Sequence, residues 1–582
     1  MRYRWRFRTS GPRQDAPVNG VPPVVSRLLA ARDLTDLEAI AAFANPTLHQ
    51  LHPANLLPNI DRAAERILAS LDRGGPLVIY GDYDVDGITA TAILFHLFTC
   101  IAPDAEIRTY VPHRMSEGYG LNGEALEQIH AEGADLVVSV DCGITAHEPA
   151  ATAKRLGLDL IITDHHNPPA PGERLPDAVA IVHPRLPGSA YPYGDLCGAG
   201  VAFKLAWRVA TMWCNSDRVT KPLQKCLLES LAFAALGTIA DVVPLVDENR
   251  IIARYGLQTM RATSFGGLNA LVRAAGLDDE TRIDADAVGF RLAPRLNACG
   301  RMGHARDAVK LFTTATDGEC AQIAEALNKA NEERQTTERS IFDQAQQLAH
   351  EAEMIGEDRR IIILAHEDWH PGVVGIVCSR LVDRFGRPAI LMQRHEEMCK
   401  GSARSIDGYS IHEGLESVRE HLHAFGGHDM AAGLAVRCDR FDGFVEALTE
   451  HANERISVDQ LTPELVIDCS VDIDELTPAA VIGLQKLGPF GRANPAPSVM
   501  IGNARLVEPP RAMGAEGKHL ALKIKQRDSQ HLRLVWWRMG RLADQLAEGM
   551  ELNLVVKPTL NTWRGVTKVE AEIRDLAKAD AY

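Results

Sequence analysis

Several features of membrane, secreted and metal-cage proteins are missing from this sequence of 582 residues. No apolar run reaches the length that spans a bilayer, and no apolar signal segment follows the opening MRYRWRFR. The eleven cysteines are scattered without a C-x-x-C pair, which favours reduced thiols over disulfides or a zinc cage. We therefore expect a cytoplasmic protein that does not contact a membrane.

An excess of positive charge is missing too, because the formal net charge is −15. That sum argues against a nucleic-acid partner only at first sight, since local basic stripes decide such binding. Low-complexity tracts are also absent, and 46% hydrophobic and 24% charged residues are typical of folded proteins. A chain of this length is too long for one core and predicts three or four domains.

Hydrophobic patterning predicts an α/β fold with a separate β-rich end. Between about 75 and 185, five apolar runs alternate with helical stretches, which is typical of a doubly wound parallel sheet. These runs are PLVIYGD, EIRTYVP, ADLVVSVDCG, LDLIITDHH and AVAIVHP. A second α/β region begins at 359, after a polar stretch at 315–355 that predicts one long helix between two lobes. From 463 onward, period-two alternation predicts a small all-β barrel.

Basic and aromatic residues alternate near the N-terminus, where Arg2, Arg4, Arg6 and Arg8 flank three aromatic rings. This pattern predicts a strand whose aromatic face packs inward. A basic and aromatic contact for nucleic acid is the alternative.

Three aspartates stand at every second position in DYDVDG, residues 82–87. This spacing opens an EF-hand calcium loop, but that loop needs a preceding helix and a bidentate glutamate at position 12. Position 12 is Ile93 here, and the preceding PLVIYG predicts a strand. The acidic loop therefore joins a strand to a helix, at the sheet edge where ligands of open α/β folds gather.

Ionisable groups also follow other predicted strands and one helical run. The whole set is Asp82, Asp84, Asp86, Asp141, Asp164, His165, His166 and Asp241. A single aspartate after a strand usually caps a helix, but so many carboxylates at one edge would repel each other. Divalent cations relieve that repulsion, and carboxylates mixed with imidazole suit Mn²⁺ or Mg²⁺. The set is large enough for two ions about 3.5–4 Å apart, the geometry of phosphoryl displacement.

The motifs DYDVDG, SVDCG, DHH and ADVVPL, in this order, resemble those of the DHH phosphoesterase superfamily. Five further motifs are similar to those of the RecJ family of single-stranded-DNA-specific exonucleases. They are RLNACGRMGHA (295–305), WHPGVVGIVCSRL (369–381), GSARSIDGYSIHEGL (401–415), FGGHDMAAGL (425–434) and GPFGRANPAP (488–497). The resemblance extends over nearly the whole chain.

The resemblance implies two α/β lobes, of DHH and DHHA1 type, joined by a long helix and followed by an OB-like β-barrel. The implied domains are an N-terminal segment packing on the catalytic lobe (1–50), the DHH catalytic domain (51–310), the connecting helix (311–356), the DHHA1 domain (357–460) and the OB domain (461–582). The implied activity is metal-dependent hydrolysis of single-stranded DNA, 5′→3′, to nucleoside 5′-monophosphates in DNA repair, mismatch repair and recombination. Implied partners are single-stranded DNA, a single-strand-binding protein and a helicase, and the implied state is a monomer.

Metal roles follow from the same resemblance. One Mn²⁺ or Mg²⁺ ion would be held by Asp84 and Asp141 with Asp82 nearby. The other would be held by Asp86, Asp141, His165 and Asp241, so that Asp141 bridges the two ions. Asp164 and His166 would orient these ligands. Tyr80 and Gly81 stand where many superfamily members carry a histidine, so we expect the first ion to be held more loosely.

The resemblance also implies residues that hold the strand. Glycines, hydroxyls and a guanidinium in GSARS and FGGHD suit a cradle for a 5′-terminal phosphate, although each alone is also typical of a polar turn. The expected contacts are Arg114, Tyr119, Arg295, Asn297, Arg301, His370, Ser402, Arg404, Ser405, Gly427 and His428. Tyr119 is the candidate platform for base stacking.

The predicted barrel supplies a basic stripe that the net charge hides. Between Asn503 and Arg541 there are nine Lys or Arg residues and three acidic ones. Contacts to single-stranded DNA are expected from Lys523, Lys525, Arg533, Trp536 and Trp537. Because neighbouring residues of a strand point to opposite faces, at most one of the two tryptophans is expected in the core.

Two other functions stay open at this point. A DHH enzyme that acts on small substrates, such as nanoRNA, cyclic dinucleotides or pyrophosphate, would be shorter and would lack the barrel. A catalytically inactive relative that only binds DNA would have lost metal ligands, and every ligand named above is present.

Overall fold

The chain folds into two compact units. The computed structural model describes residues 3–9, 20–114, 116–170, 172–280 and 282–579. The parallel-sheet unit comprises residues 45–334 and 488–495. The barrel unit comprises residues 1–44, 335–487 and 496–582.

The N-terminal segment belongs to the barrel unit and contains β1 (Arg4–Phe7), α1 (Pro23–Ala31) and α2 (Leu37–Ala44). β1 pairs in parallel with the strand Glu464–Ile467 and buries Trp5, whose indole N–H donates to Asp575 at 2.8 Å. The predicted strand with an inward aromatic face is therefore confirmed, while Arg2 lies outside the described residues. The barrel provides both the apolar site and the acceptor that the Trp5 indole needs. The expected packing of residues 1–50 on the catalytic lobe stays a prediction.

A five-stranded sheet, parallel throughout, is the centre of the parallel-sheet unit. Its strands are β2 (Leu77–Gly81), β3 (Ile107–Tyr110), β4 (Leu136–Val140), β5 (Asp159–Thr163) and β6 (Ala180–Val182). The order across the sheet is β3-β2-β4-β5-β6. Each strand lies in one of the five predicted apolar runs. β2 and β4 are buried along their whole length, which is why these strands appear as continuous apolar sequence.

Helices pack on this sheet and extend the unit beyond it. They are α3 (Ile60–Asp72), α4 (Val85–Ile101), α5 (Gly123–Ala131), α6 (His147–Leu156), α7 (Gly198–Trp213), α8 (Lys221–Ala240), α9 (Asp247–Thr259), α10 (Gly266–Ala274), α11 (Ala285–Ala287), α12 (Ala293–Met302) and α13 (Arg306–Phe312). α8 packs against α4, α7 and α9. By length and composition α8 could cross a membrane, which corrects the expectation that no run is long enough, but 61% of that stretch is buried inside the protein.

One helix of 35 residues, α14 (Asp317–Glu351), leads from the parallel-sheet unit into the barrel unit. Strong helix formers without proline favour its length. At its start, the backbone N–H of Thr316 donates to Glu319 at 2.9 Å, as in a capping box. The predicted long polar helix is confirmed.

The part of the barrel unit that follows α14 has a mixed five-stranded sheet with the order β10-β11-β9-β8-β7. Its strands are β7 (Ile362–His366), β8 (Ala389–His395), β9 (Met398–Arg404), β10 (Leu422–His428) and β11 (Ala431–Arg437). Its helices are α15 (Pro371–Phe385), α16 (Ile411–Ser417) and α17 (Phe441–Arg455). Only β7 and β8 pair in parallel among these strands, which distinguishes this sheet from the first.

The last part of the chain closes into a β-barrel. Its elements are β12 (Glu464–Ile467), β13 (Cys469–Ser470), α18 (Pro478–Gln485), β14 (Val499–Leu506), β15 (Arg511–Met513), β16 (His519–Lys525), β17 (Leu532–Trp536), β18 (Glu551–Trp563) and β19 (Val566–Lys578). The pairings run β14-β16-β17-β19-β18 and return to β14, with β17 and β19 parallel. This closed five-stranded circuit is an OB-type barrel, so the predicted fold class is confirmed.

Candidate metal centre and strand-binding residues

The acidic loop after β2 holds its three aspartates in different ways. Asp84 caps α4, and its Oδ1 accepts backbone N–H bonds from Asp86 and Gly87 at 2.9 and 3.1 Å. Asp86 is buried and accepts N–H bonds from Gly198 and Ala199, at the start of α7, at 2.5 and 2.8 Å. Asp82 is also buried, and its Oδ1 has no hydrogen-bond donor among the described residues. Backbone groups therefore fix the loop and leave one carboxylate oxygen unsatisfied.

Asp141 follows β4 in a backbone conformation that most residues avoid. Its φ is +62°, in the left-handed region, and its side chain is buried. Gly198 packs so closely that a β-carbon at that position would lie 2.6 Å from Asp141 Oδ1. Strained backbone that tight packing maintains is typical of functional sites.

His165 and Asp241 complete the cluster. His165 follows β5, and its Nε2 lies 3.1 Å from Asp141 Oδ1, 3.7 Å from Asp241 Oδ2 and 3.8 Å from Asp86 Oδ2. Asp241 ends α8. Val242 directly after it has a φ of +58°, although a β-branched side chain strongly disfavours that region. Backbone strain therefore occurs at or beside two of the four segments that carry the cluster.

The ligand atoms fall into overlapping sets of three, within 4.8 Å of one another in each set. The sets are Asp82 with Asp84 and Asp141, Asp86 with His165 and Asp241, and Asp141 with His165 and His166. Asp141 Oδ1 and His165 Nε2 are buried without a hydrogen-bond partner among the described residues. Orphaned buried polar atoms are costly, and a divalent cation satisfies them. Carboxylate oxygens with one imidazole are a donor set that fits Mn²⁺ or Mg²⁺.

Burial and mutual repulsion raise the pKa of the carboxylates in this cluster. Burial and the Asp84 charge raise the pKa of Asp82 to about 8, and burial with the Asp86 charge raises that of Asp241 to about 8. Burial raises the pKa of Asp141 well above its usual range. Burial and the neighbouring His166 lower the pKa of His165 to about 3, which keeps the imidazole neutral. An excess of acidic groups beside a neutral imidazole favours the binding of a cation.

Asp164 and His166 form an ion pair beside the cluster, with 2.8 Å between Oδ1 and Nδ1. Asp164 also accepts the N–H groups of Ile144 and His165 at 2.9 and 2.7 Å. Although burial opposes both shifts, this pairing lowers the pKa of Asp164 to about 2 and raises that of His166 to about 9. With both oxygens occupied, Asp164 can orient the segment that carries His165, as an outer partner of a metal ligand does.

Three expected strand contacts lie around the acidic loop. The Arg114 guanidinium is 5.0 Å from the ring centre of Tyr83 in that loop. The Tyr119 hydroxyl donates to the Asp141 carbonyl at 3.3 Å and lies 3.2 Å from the His166 ring, while its side chain stays accessible. Arg301 is on α12, next to Gly300, where a β-carbon would be 3.0 Å from the Tyr83 carbonyl oxygen. Tyr119 therefore contacts the metal-cluster residue Asp141, while Arg114 and the Gly300 neighbour of Arg301 lie beside Tyr83 of the acidic loop.

Arg295 and Asn297 lie on the same helix as Arg301. Arg295 donates to Asn328 at 3.0 Å and to the Arg291 carbonyl at 2.5 Å. Among the described residues, neither Arg295 nor Asn297 makes a hydrogen bond or an ion pair with a metal-cluster residue. Their expected contact with the strand stays a prediction.

In the barrel unit, Ser402 and Arg404 lie on the same face of β9, as alternate residues of a strand do. Arg404 stands opposite Ala431 of β11, which in turn stands opposite His428 of β10. A β-carbon on Gly375 of α15 would lie 3.2 Å from Ser402 Oγ and 3.4 Å from an Arg404 nitrogen. Small neighbours thus leave room around a hydroxyl, a guanidinium and an imidazole, which suits an anion.

The other expected phosphate contacts have different roles. The Ser405 hydroxyl is buried and donates to the Tyr409 carbonyl at 2.6 Å, so its assignment to phosphate binding is corrected. His370 caps α15, and its Nδ1 accepts the Gly372 N–H at 3.1 Å. Gly427 has a φ of +144° and approaches β11 so closely that a β-carbon would collide with the Ala431 carbonyl.

Three family models match successive parts of the chain. Residues 76–235 match the DHH family, N-terminal domain, residues 358–454 match the DHHA1 domain, and residues 467–575 match the RecJ OB domain. The chain is 37% identical over 562 residues to the single-stranded-DNA-specific exonuclease RecJ of Bacillus subtilis (strain 168). That alignment covers 96% of this chain and 68% of the relative. The chain belongs to the RecJ family.

Solved RecJ structures share the fold over almost the whole chain. RecJ from Thermus thermophilus in complex with Mn²⁺ superposes with a TM-score of 0.82 at 30% identity, covering 99% of this chain and 80% of that one. The Mg²⁺ complex of RecJ from the same organism gives a TM-score of 0.77 at 29% identity, covering 99% of this chain and 79% of that one. These RecJ structures contain the two metals that the donor set of this chain fits.

The RecJ OB domain separates the expected barrel contacts into buried and accessible side chains. Trp536 is 4% exposed and belongs to the barrel core, so its assignment as a DNA contact is corrected. Trp537 is 50% exposed, which confirms that at most one of the pair is buried. Arg533 already pairs with Glu570 at 2.8 Å, and Lys523 lies 3.4 Å from Glu508. Lys525 lines an open cavity of about 700 Å³ together with Arg505 and Arg527.

Two parts of this RecJ metal centre were missed in the sequence. The first is the start of α7, whose Gly198 and Ala199 N–H groups hold Asp86. The small residues of CGAG at the start of an apolar helix were the available signal, because they permit such close approach. The second is Arg185, whose guanidinium donates to the His165 carbonyl at 2.5 Å. No local pattern distinguishes Arg185 from a surface arginine.

Proposed function

We propose that this RecJ-family chain hydrolyses single-stranded DNA from the 5′ end and releases nucleoside 5′-monophosphates. The observation that carries the proposal is the buried cluster of adjoining ligand sets with orphaned atoms on Asp82, Asp141 and His165. A site of this kind suits phosphodiester hydrolysis with two divalent ions.

The chain's own residues fix the ligands in advance. Asp82, Asp84 and Asp141 would hold one Mn²⁺ or Mg²⁺ ion, and Asp86, His165 and Asp241 would hold the other, with Asp141 shared. When bound, such ions lower the pKa of a water molecule and offset charge on phosphoryl oxygens. The N–H groups of α4 and α7 orient Asp84 and Asp86, and the left-handed backbone directs Asp141 into the cluster.

Water, rather than a side chain, is the nucleophile in this proposal. Cys142 and Cys197 are the thiols nearest to the cluster in sequence, and both are fully buried. Burial raises the pKa of each thiol well above its usual range, so neither forms the reactive thiolate. Attack by water with departure of the 3′-oxygen leaves each new strand end with a 5′ phosphate.

The Ser402, Arg404 and His428 face supports recognition of a 5′-terminal phosphate. A guanidinium binds a phosphate with two parallel hydrogen bonds, and the small residues on this face leave space for one. Separate residues for sensing the end and for cutting would make the enzyme an exonuclease that starts at the 5′ end.

The decisive experiment compares three DNA substrates with Mn²⁺, with Mg²⁺ and with a chelator. A 5′-phosphorylated single strand should be degraded to nucleoside 5′-monophosphates only when a divalent ion is present. The same strand with a blocked 5′ end, and a blunt duplex, should resist. Equal attack from 3′ ends or products with 3′ phosphates would contradict the proposal. Hydrolysis of dinucleotides alone would indicate a small-substrate enzyme, and binding without hydrolysis an inactive DNA-binding relative.

The cellular setting is proposed from family membership. We propose a monomeric cytoplasmic enzyme of DNA repair and recombination that works with a single-strand-binding protein and a helicase. Purified chain mixed with each partner should show co-elution on gel filtration and faster digestion if these partners act on it. Unchanged elution and unchanged rates would contradict that part of the proposal.

A further inference from the structure

A tight turn from a distant part of the chain packs against the segment that follows the metal-cluster residue Asp241. Residues 488–495 belong to the parallel-sheet unit, although the residues on either side belong to the barrel unit. The Leu245 N–H, four positions after Asp241, donates to the Arg492 carbonyl at 2.8 Å. A β-carbon on Gly491 would lie 2.7 Å from Leu245 Cδ1, and Leu245 is buried. The turn therefore packs tightly against the segment that follows Asp241.

The turn presents Arg492 at its tip. Gly491 and Asn494 exchange backbone hydrogen bonds at 2.9 and 3.2 Å, and Ala493 has a φ of +60°. Asn494 is buried, and its Nδ2 donates to the Pro489 carbonyl at 2.8 Å. Positive φ at the third position is typical of a type II turn, where glycine is the usual residue. An alanine there shows that the surrounding packing imposes the shape of the turn.

The Arg492 side chain is exposed. Within the part of the chain that the structure describes, its guanidinium makes no hydrogen bond or ion pair. Arg492 therefore holds an exposed positive charge on a turn whose backbone is hydrogen-bonded to the segment that follows Asp241.

We propose that Arg492 binds a backbone phosphate of the single strand at the metal centre. The inference rests on the proposed exonuclease function, because it assigns a further substrate-binding residue to that site. A strand that reaches the acidic cluster must bring phosphates past its rim. An unpaired guanidinium on a rigid turn is suited to receive one of them. Because Arg492 would bind the DNA backbone rather than a base, its contribution to affinity should be the same for every DNA sequence.

The test measures the salt dependence of strand binding, which counts phosphate contacts. The probe is a fluorescent single strand whose 5′ linkages are phosphorothioates, which keep the charge but slow hydrolysis, with Mn²⁺ present. Three variants are compared with the wild type: Arg492→Ala, Arg492→Lys and Arg62→Ala. Arg62 is an exposed arginine on α3 of the same unit, outside the described site, and serves as the matched control.

We expect Arg492→Ala to bind about tenfold more weakly, the loss of one charge-assisted contact. The slope of log affinity against log salt should become shallower by about 0.7, the value for one phosphate contact with a single strand. Arg492→Lys should retain the slope, because it retains the charge, and recover only part of the affinity. Arg62→Ala should match the wild type in both measurements.

An unchanged slope and affinity for Arg492→Ala would overturn the inference, as would an equal loss in Arg62→Ala. So would a lowered melting temperature shared by Arg492→Ala and Arg492→Lys, since that indicates a structural role in the turn. Digestion of an ordinary single strand by the wild type keeps the two proposals apart. If the wild type digests and Arg492→Ala binds normally, only the role of Arg492 fails. If the wild type does not digest, the exonuclease proposal itself fails.

Discussion

Among single residues, Asp141 is the most constrained, because it belongs to two of the three ligand sets and has a left-handed backbone. We expect Asp141→Ala to abolish hydrolysis, since the change removes a ligand from both ions, while strand binding persists through other residues. Asp141→Asn keeps the side-chain shape and tolerates positive φ, so it tests the charge alone. Nucleotide release at saturating Mn²⁺ and strand affinity are the measurements. Wild-type turnover by Asp141→Ala would show that Asp141 is not a metal ligand, and wild-type turnover by Asp141→Asn would show that its charge is not needed.

Arg404 is the residue that should distinguish a phosphorylated 5′ end from a 5′ hydroxyl. A charge-assisted hydrogen bond from a guanidinium to a phosphate contributes on the order of 1.5–3 kcal/mol. Arg404→Ala should therefore lose roughly tenfold or more in affinity for 5′-phosphorylated strands and much less for 5′-hydroxyl strands. Arg404→Lys should recover part of that loss. Affinities of both variants for both strands decide the point.

The Arg404 experiment needs a control variant and has one outcome that would contradict it. Ser405→Ala is the matched control, because the Ser405 hydroxyl is committed to the Tyr409 carbonyl. That variant should lower stability without changing the preference for a phosphorylated end. If Arg404→Ala weakens both strands equally, Arg404 is a general backbone contact and the end is sensed elsewhere.

At the scale of elements, β17 shows how one strand serves both the core and the surface. Trp536 at its end is buried and Trp537 directly after it is exposed. Trp536→Ala should cost about 3–5 kcal/mol of stability, as expected for a large core side chain. Trp537→Ala should leave stability nearly unchanged and weaken single-strand binding by about 1–3 kcal/mol if its ring stacks on a base. Denaturant unfolding and strand affinity of both variants are measured together, and the reverse pattern would refute the assignment.

Elements were predicted well where local sequence determines them. β2, β4 and the acidic loop follow from a continuous apolar run that ends in aspartates, and the ligand-bearing strand ends follow from parallel topology. Partners that depend on tertiary packing were not predictable. Trp5 could have packed on either lobe, and Ser405 has the same local sequence whether its hydroxyl faces a phosphate or a backbone carbonyl. The α7 contact with Asp86 joins residues that are far apart in the chain, and hydrophobic periodicity in the sequence does not indicate such a contact.

For the whole molecule, the metal cluster should link stability to pH. In metal-free protein, folding raises the pKa of Asp82 and Asp241 to about 8, so the folded state binds more protons than the unfolded state at neutral pH. The pKa of His166, raised to about 9, acts in the same direction. Stability must then fall as pH rises from about 6.5 to 8. In that window the lowered pKa of His165, about 3, has no effect, because the imidazole is neutral in both states above about 6.5.

We therefore expect the melting temperature in chelator to fall between pH 6.5 and 8, and Mn²⁺ to reverse the fall. A ligand at 100 times its dissociation constant stabilises the folded state by about 2.7 kcal/mol. Calorimetry with and without Mn²⁺ measures both effects, and Asp241→Asn should reduce the pH dependence. A metal-free protein whose melting temperature rises over this window would contradict the electrostatic description of the cluster.

The turn at residues 488–495 has a consequence for how the protein is made. Translation delivers every proposed metal ligand once Asp241 has been synthesised, but the acceptor for the Leu245 N–H arrives only with Arg492. Until residues 488–495 leave the ribosome, the Leu245 N–H lacks its acceptor and the Leu245 side chain lacks its contact with Gly491. The parallel-sheet unit therefore cannot reach its final packing before residues 488–495 have left the ribosome, and a shorter nascent chain holds the proposed ligands without the finished centre.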